Sequence, residues 1–175
     1  MTMRKITILL LSFLISTITY SQDVNNNVRY IPESQVPQSV LDRQGELFPT
    51  NFVSEWQVQE MGGMQDAQNI GYIAKFEEDG RPGFSASYLP NGILIFNSEF
   101  MPSEIIPAEV RLKVDKEYKD YTIRHADFIT FYNPKREIYM IKLLDDINVM
   151  YAFYNTAGNE IPKDSLPAEI LLLMN

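Results

Sequence analysis

A five-residue stretch of this chain returns seventy positions later. Val36-Pro37-Gln38-Ser39-Val40 recurs as Ile106-Pro107-Ala108-Glu109-Val110. The same offset sets Phe48 on Tyr118, Val53 on Ile123 and Val58 on Phe128. Small deletions then shift it. Tyr72-Ile73-Ala74-Lys75-Phe76 aligns with Tyr139-Met140-Ile141-Lys142-Leu143, Ala86 and Tyr88 with Ala152 and Tyr154, and Asn91-Gly92 with Ala157-Gly158. A third start, Leu166-Pro167-Ala168-Glu169-Ile170, stands near the end. An ordered series of matches in one order along the chain predicts two units of one plan.

Each unit has the same grammar. Proline suits a helix start, because its missing N–H has no helical partner there. From Pro37, the residues Val40, Leu41, Gln44, Leu47 and Phe48 follow helical spacing, and from Pro107 so do Val110, Leu112, Val114 and Tyr118. Alternating segments follow: Phe52 to Gln59, Tyr72 to Glu77, Phe84 to Tyr88 and Ile93 to Phe96. The second unit offers Ile123 to Tyr132, Glu137 to Leu144 and Val149 to Tyr154. Its last strand, near Glu160-Ile161, is weakened by Pro162. The expectation is an α+β protein: two tandem repeats of one helix and about four antiparallel strands, with the helices on one face of the sheet. The repeats span residues 36–102 and 103–165, and an apolar tail spans 166–175.

The first twenty-one residues stand apart. Arg4 and Lys5 precede an apolar run from Ile6 to Ile18, and Thr19 and Ser21 supply small residues before Gln22. That layout is a secretory signal. Its core is shorter than the roughly 20 residues of a membrane-spanning helix. Residues 22–35 read as a polar, flexible leader, with Val28 to Ile31 available as a short strand. The chain has no cysteine, which excludes disulfides, thiolate chemistry and a lipid-modified N-terminal cysteine. Removing Arg4 and Lys5 leaves 13 basic against 23 acidic residues, a net charge of −10. Nucleic acids and anionic membranes reward the opposite balance. The expected product is periplasmic or secreted, with no stable membrane anchor after cleavage.

The Val/Ile-Pro start, the aromatic helix end (Phe48, Tyr118), the Tyr-x-x-Lys-Phe/Leu strand and the Asn-Gly turn resemble the PepSY-like domains. These are grouped with the β-lactamase inhibitory protein fold. The resemblance covers residues 34–165, with the Met61-Gly62-Gly63-Met64 insertion and the weak last strand as departures. It implies an exported tandem-repeat protein whose open sheet face meets a partner. It carries over no catalytic residue.

Chemistry-bearing motifs are sparse. His125, the single histidine, aligns with Glu55 and reads as an exposed strand residue; no Gly-x-Ser-x-Gly elbow accompanies it. Glu77-Glu78-Asp79 and Asp145-Asp146 read as solvated turn tips without EF-hand spacing. Gly62-Gly63 lacks the Lys-Ser/Thr of a phosphate loop and reads as a loop between strands. No enzyme activity, cofactor or metal is expected. The repeat assigns Tyr72, Ala74, Phe76, Phe84, Ala86 and Tyr88, with Tyr139, Ile141, Leu143, Met150, Ala152 and Tyr154, to the helix-facing core. The other face is polar in the first repeat (Gln57, Gln59, Lys75, Ser85, Ser87). In the second it is mostly apolar (Ile129, Phe131, Met140, Lys142, Val149, Tyr151, Phe153).

An apolar face open to water marks an interaction site. The expected site is Ile129, Phe131, Met140, Tyr151 and Phe153, recognising a protein or peptide. The competing arrangement has the tail from Leu166 to Met174 folded over them. With the face open, replacing Phe131 and Tyr151 by Ala is expected to leave folding intact and weaken partner capture. An alternative class is a small-ligand carrier or envelope-stress protein with an internal cavity, against which the large core aromatics Trp56, Phe76, Phe84 and Tyr88 argue. The signal reading predicts that the exported protein begins at Gln22. Intact-mass measurement of protein recovered from the envelope checks this, and an N-terminus at Met1 would mean an uncleaved anchor.

Overall fold

A computed structural model describes residues 28–60 and 70–173. The expected signal (residues 1–21), residues 22–27 of the expected leader, the Met61-Gly62-Gly63-Met64 insertion and Met174 lie outside the described residues. Eight strands form one antiparallel sheet in chain order. They are β1 (Val28–Ile31), β2 (Asn51–Glu60), β3 (Ile70–Glu78), β4 (Arg81–Tyr88), β5 (Leu94–Pro102), β6 (Thr122–Tyr132), β7 (Lys135–Leu144) and β8 (Val149–Asn155). Helix α1 (Gln38–Leu47) precedes β2, and helix α2 (Ala108–Glu117) precedes β6. The chain is therefore α+β. The weak last strand shrinks to a single bridge between Tyr154 and Glu160, because Pro162 has no N–H to continue a ladder.

Both helices begin alike. Pro37 and Pro107 cap them with φ of −56° and −50°. Their carbonyls accept from the N–H groups of Val40 and Val110 at 2.9 and 3.0 Å. Both also end alike, where the N–H of Phe48 donates to the Gln44 carbonyl and that of Tyr118 to the Val114 carbonyl. A register shift separates Val53 from Glu55 in β2, and another separates Ile123 from His125 in β6. Such bulges bend a strand and sharpen its twist.

Register shows where the helices sit. Trp56, Ala74, Ala86, Asn97 and Thr130 pair in succession across β2 to β6, so they share one face. Phe128 and Ala126 follow Thr130 at alternate positions on that face, and Ala126 pairs on to Ile141 and Ala152. Helix α1 packs Val40 onto Trp56, Val58, Phe76, Phe84 and Tyr88. Helix α2 packs Val110 and Val114 onto Ala126, Tyr139, Ile141, Leu143 and Tyr154. Both helices thus cover the same face. Leu112 departs from expectation and is exposed, since a step of two residues turns about 200° around a helix.

A tyrosine ties each helix to the sheet. The Tyr88 hydroxyl donates to Gln44 Oε1 at 2.7 Å, a buried bond spanning 44 residues. The Tyr154 hydroxyl donates to Glu117 Oε2. Burial raises both phenols, so they stay protonated donors at neutral pH. The turn after β4 presses closer still. Gly92 has φ of +82°, and a Cβ there would sit 2.5 Å from the Ser39 carbonyl oxygen of α1. Gly158, with φ of +73°, would meet Glu109 only at 3.6 Å.

These contacts rank two substitutions. Gly158→Ala should cost about 1 kcal/mol, from the left-handed backbone alone. Gly92→Ala should cost roughly 2–3 kcal/mol, because helix and turn must also separate. Urea unfolding of the two variants checks the order, and equal midpoints would contradict the close approach.

Candidate functional site

The sheet face turned away from the helices has two zones. The first lies over β5 to β8. Phe96 pairs with Phe131, Ile129 with Ile138, and Met140 with Phe153. All six side chains belong to one apolar cluster. The same cluster contains Ile170, with Ile95, Tyr151, Ile161, Leu166 and Leu173 packed around it. After the Glu160 bridge, the Ile161 N–H donates to the Phe153 carbonyl at 2.7 Å. The chain then crosses this face through two 3₁₀ segments, Lys163–Ser165 and Ala168–Leu173.

This placement corrects the expected binding set. Ile129, Phe131, Met140 and Phe153 are at most 4% exposed. Tyr151 is half-buried beside them, with the Lys142 ammonium 5.9 Å from its ring centre. The residues do converge on one face, as the alternation implies. They are not open to water, because the C-terminal strap buries Ile170 among them. An apolar surface gains roughly 25 cal/mol for each Å² covered, and the strap supplies Ile170, Leu166 and Leu173 to cover this one.

The second zone is polar and lies over β3 to β6. Lys75 pairs with Ser85, Ser85 with Ser98, and Ser98 with Ile129. One row further, Phe100 pairs with Asp127. Lys75 and Asp127 are three strands apart, a backbone span of roughly 14 Å. The two serines between them are small, so a trough runs across the strands. It has a volume of about 310 Å³ and is lined by Ser54, Lys75, Ser85, Ser98, Phe100 and Asp127, among others. Ser85 and Ser98 hydrogen-bond to each other at 2.7 Å on its floor.

Charges in the trough are poorly hydrated. Burial lowers the Lys75 ammonium, while the charges of Asp127 and Glu55 oppose the shift. Burial raises the Asp127 carboxyl, opposed by His125, Lys75 and Lys142. Among the described residues no carboxylate lies within 4 Å of the Lys75 ammonium. His125 Nε2 is 3.8 Å from Asp127 Oδ2, and its ring centre is 5.0 Å from that of Phe100. Burial lowers the imidazole below its ordinary value. His125 thus faces away from the helices, as its alignment with Glu55 predicts, but it is half-buried in a cluster rather than exposed. The serines bond to each other and not to a base, so the cluster has no nucleophile–base pair.

Sequence reasoning placed Lys75, Ser85 and Ser87 on this face and missed Asp127, Ser98 and Phe100. Alternation downward from Ile129 would have reached Asp127. Ser98 and Phe100 lay past the predicted end of their strand at Phe96. Among the described residues, no three His, Asp or Glu side chains gather to hold a metal ion. None of the described helices is long and apolar enough to cross a membrane.

The sequence matches no protein-family model and no curated protein. The fold does match solved structures. A BLIP-like protein from Bacteroides fragilis aligns over 76% of this chain and 86% of its own, with TM-score 0.57 and 15% identity. A DUF2874 family protein from Bacteroides uniformis aligns over 72% and 86%, with TM-score 0.58 and 14% identity. A Bacteroides eggerthii protein described as periplasmic aligns over 73% and 86%, with TM-score 0.56 and 16% identity. At these identities the likeness is one of fold alone.

The covered face reverses the expectation for Phe131. Phe131→Ala should destabilise the protein by about 3–5 kcal/mol, as for a buried phenylalanine. Tyr151→Ala should cost less than half of that. Urea unfolding measures both, and an unchanged midpoint for Phe131→Ala would mean the strap leaves this face in solution.

Proposed function

We propose that this chain is an exported, non-catalytic binding module that recognises a protein or peptide through the open face of its sheet. One observation carries the reading. Lys75 and Asp127 are held, partly desolvated, along a trough on the face without helices; among the described residues Lys75 has no carboxylate within 4 Å, and Asp127 has the His125 imidazole at 3.8 Å. Placing charges there costs stability unless a partner group completes them. Phe100, 43% exposed beside the trough, supplies the aromatic contact that interfaces favour.

Export is supported by the signal-like start of the chain and by a fold neighbour described as periplasmic. A tandem duplication within the PepSY-like group is supported by the offset of seventy residues. That offset recurs in the proline caps, the helix ends and the two bulges. The BLIP-like neighbour supports the same grouping at the level of fold.

The test uses a double variant, Lys75→Met with Phe100→Ala. It should move the thermal midpoint by no more than about 3 °C, since neither side chain belongs to an apolar core. It should lower capture of the partner from native envelope extract at least about tenfold, the effect of one interface anchor. Quantitative mass spectrometry of the captured proteins reads the result. Equal capture by wild type and variant would remove the trough from the binding face.

A further inference from the structure

The polar trough over β3 to β6 has a built shape. Gly83 lines it with φ of +97°, and a Cβ there would sit 3.0 Å from the Phe100 Cβ. Glycine at this position lets Phe100 approach the neighbouring strand and adds no side chain to the trough. Ser85 and Ser98 on the floor are 3% and 5% exposed, and their hydroxyls are engaged with each other. Recognition therefore falls to the charged groups that line the same space. The Lys75 ammonium has no hydrogen-bond partner among the described residues and no carboxylate within 4 Å. Asp127 meets the His125 imidazole at 3.8 Å, beyond hydrogen-bond reach. Arg81 nearby is already paired with Glu99 at 3.3 Å.

Signs alternate around these groups. Lys75 stands opposite Glu55 across β2 and β3 and feels the Asp127 charge as well. Asp127 stands among Lys75, Lys142 and His125. An incoming acid alone, or a base alone, would meet like charge as it reached its opposite. Resting on the reading that this face binds a protein or peptide, we propose that the trough takes an extended peptide segment with one acidic and one basic side chain on the same side, the acid over Lys75 and the base over Asp127. In that order each incoming charge lies beside its opposite. In the reverse order both ends repel, so the trough also fixes the direction of the segment. Side chains two positions apart in an extended chain share a side and lie about 6.6 Å apart, and four positions apart about 13 Å. A spacing of two to four positions therefore matches a trough that crosses roughly 14 Å of sheet. Phe100, 43% exposed beside it, meets the apolar part of the segment.

The probe is a random twelve-residue peptide library displayed on phage and selected on the full wild-type chain. Enriched peptides should share one acidic and one basic residue in a fixed order and spacing. Synthetic fluorescent copies are then measured by anisotropy. Transposing the acidic and basic residues within a peptide should weaken binding at least about tenfold. Absence of enrichment, enriched peptides without the pair, or equal binding after transposition overturns the proposal. None of these comparisons needs an altered protein.

Two single variants, Lys75→Met and Asp127→Asn, locate the contacts. Neutralising the acidic residue of the peptide should weaken binding to wild type at least about fivefold and to Lys75→Met less than about twofold. Neutralising the basic residue should behave likewise with Asp127→Asn. Losses that persist in both variants place the peptide elsewhere and overturn the trough. A wild-type dimer in light scattering that Lys75→Met dissolves would give the trough to a second copy and also overturn the assignment. If capture from envelope extract still depends on Lys75 and Phe100 while the selected peptides lack the charged pair, the open-face reading stands and only the paired-charge segment falls.

Discussion

A sheet has two faces, and among the described residues the α-helices of this one cover a single face. Everything else in the structure follows from how the second face is managed. Over β3 to β6 it is kept polar: Ser85 and Ser98 bond to each other, and Lys75 and Asp127 stand along the trough. Over β5 to β8 it is apolar and must be covered, because exposed aromatic and aliphatic surface is costly in water. The segment from Leu166 to Leu173 covers it, laying Ile170 among Ile129, Phe131, Met140 and Phe153.

The helix-covered face is held by a different device. Each helix is anchored by apolar packing and by one tyrosine hydroxyl rising from the sheet. Tyr88 reaches Gln44, while Tyr154 reaches Glu117. Position 114, the counterpart of Gln44, is a buried valine, and the second tyrosine finds its acceptor three residues along the helix. One helical turn lies between the two solutions, so both acceptors fall on the sheet-facing side. The clamp survives a change of acceptor, which keeps the helix seated while the surrounding side chains differ.

Much of this was legible from the sequence pattern that recurs at an offset of seventy residues. The helix starts follow from proline, and the core positions follow from alternation checked against a second copy. Tyr88 and Tyr154, Ala86 and Ala152, and Phe76 and Leu143 lie where that argument put them. Alternation also assigns Ile129, Phe131, Met140, Tyr151 and Phe153 to the face opposite the helices, and the register agrees. It could not say whether that face was wet. Periodicity reports the side of a strand on which a residue lies and nothing about what stands over it. Asp127 and Phe100 were lost for a related reason. Each is unremarkable in its own strand, and only cross-strand register brings them beside Lys75 and His125.

The sequence by itself determined the class of the fold, the seats of the helices and the two-sided character of each strand. These depend on local spacing and on side-chain chemistry repeated at a fixed interval. Tertiary structure decided the state of the open face. A third proline-led motif looked like the start of another helix, and it became a 3₁₀ strap on the opposite side of the sheet. The reason is physical: an apolar face without a helix lay there, and burying Ile170 against it required contacts with residues up to 74 positions away, from Phe96 onward. No local pattern encodes a contact of that range.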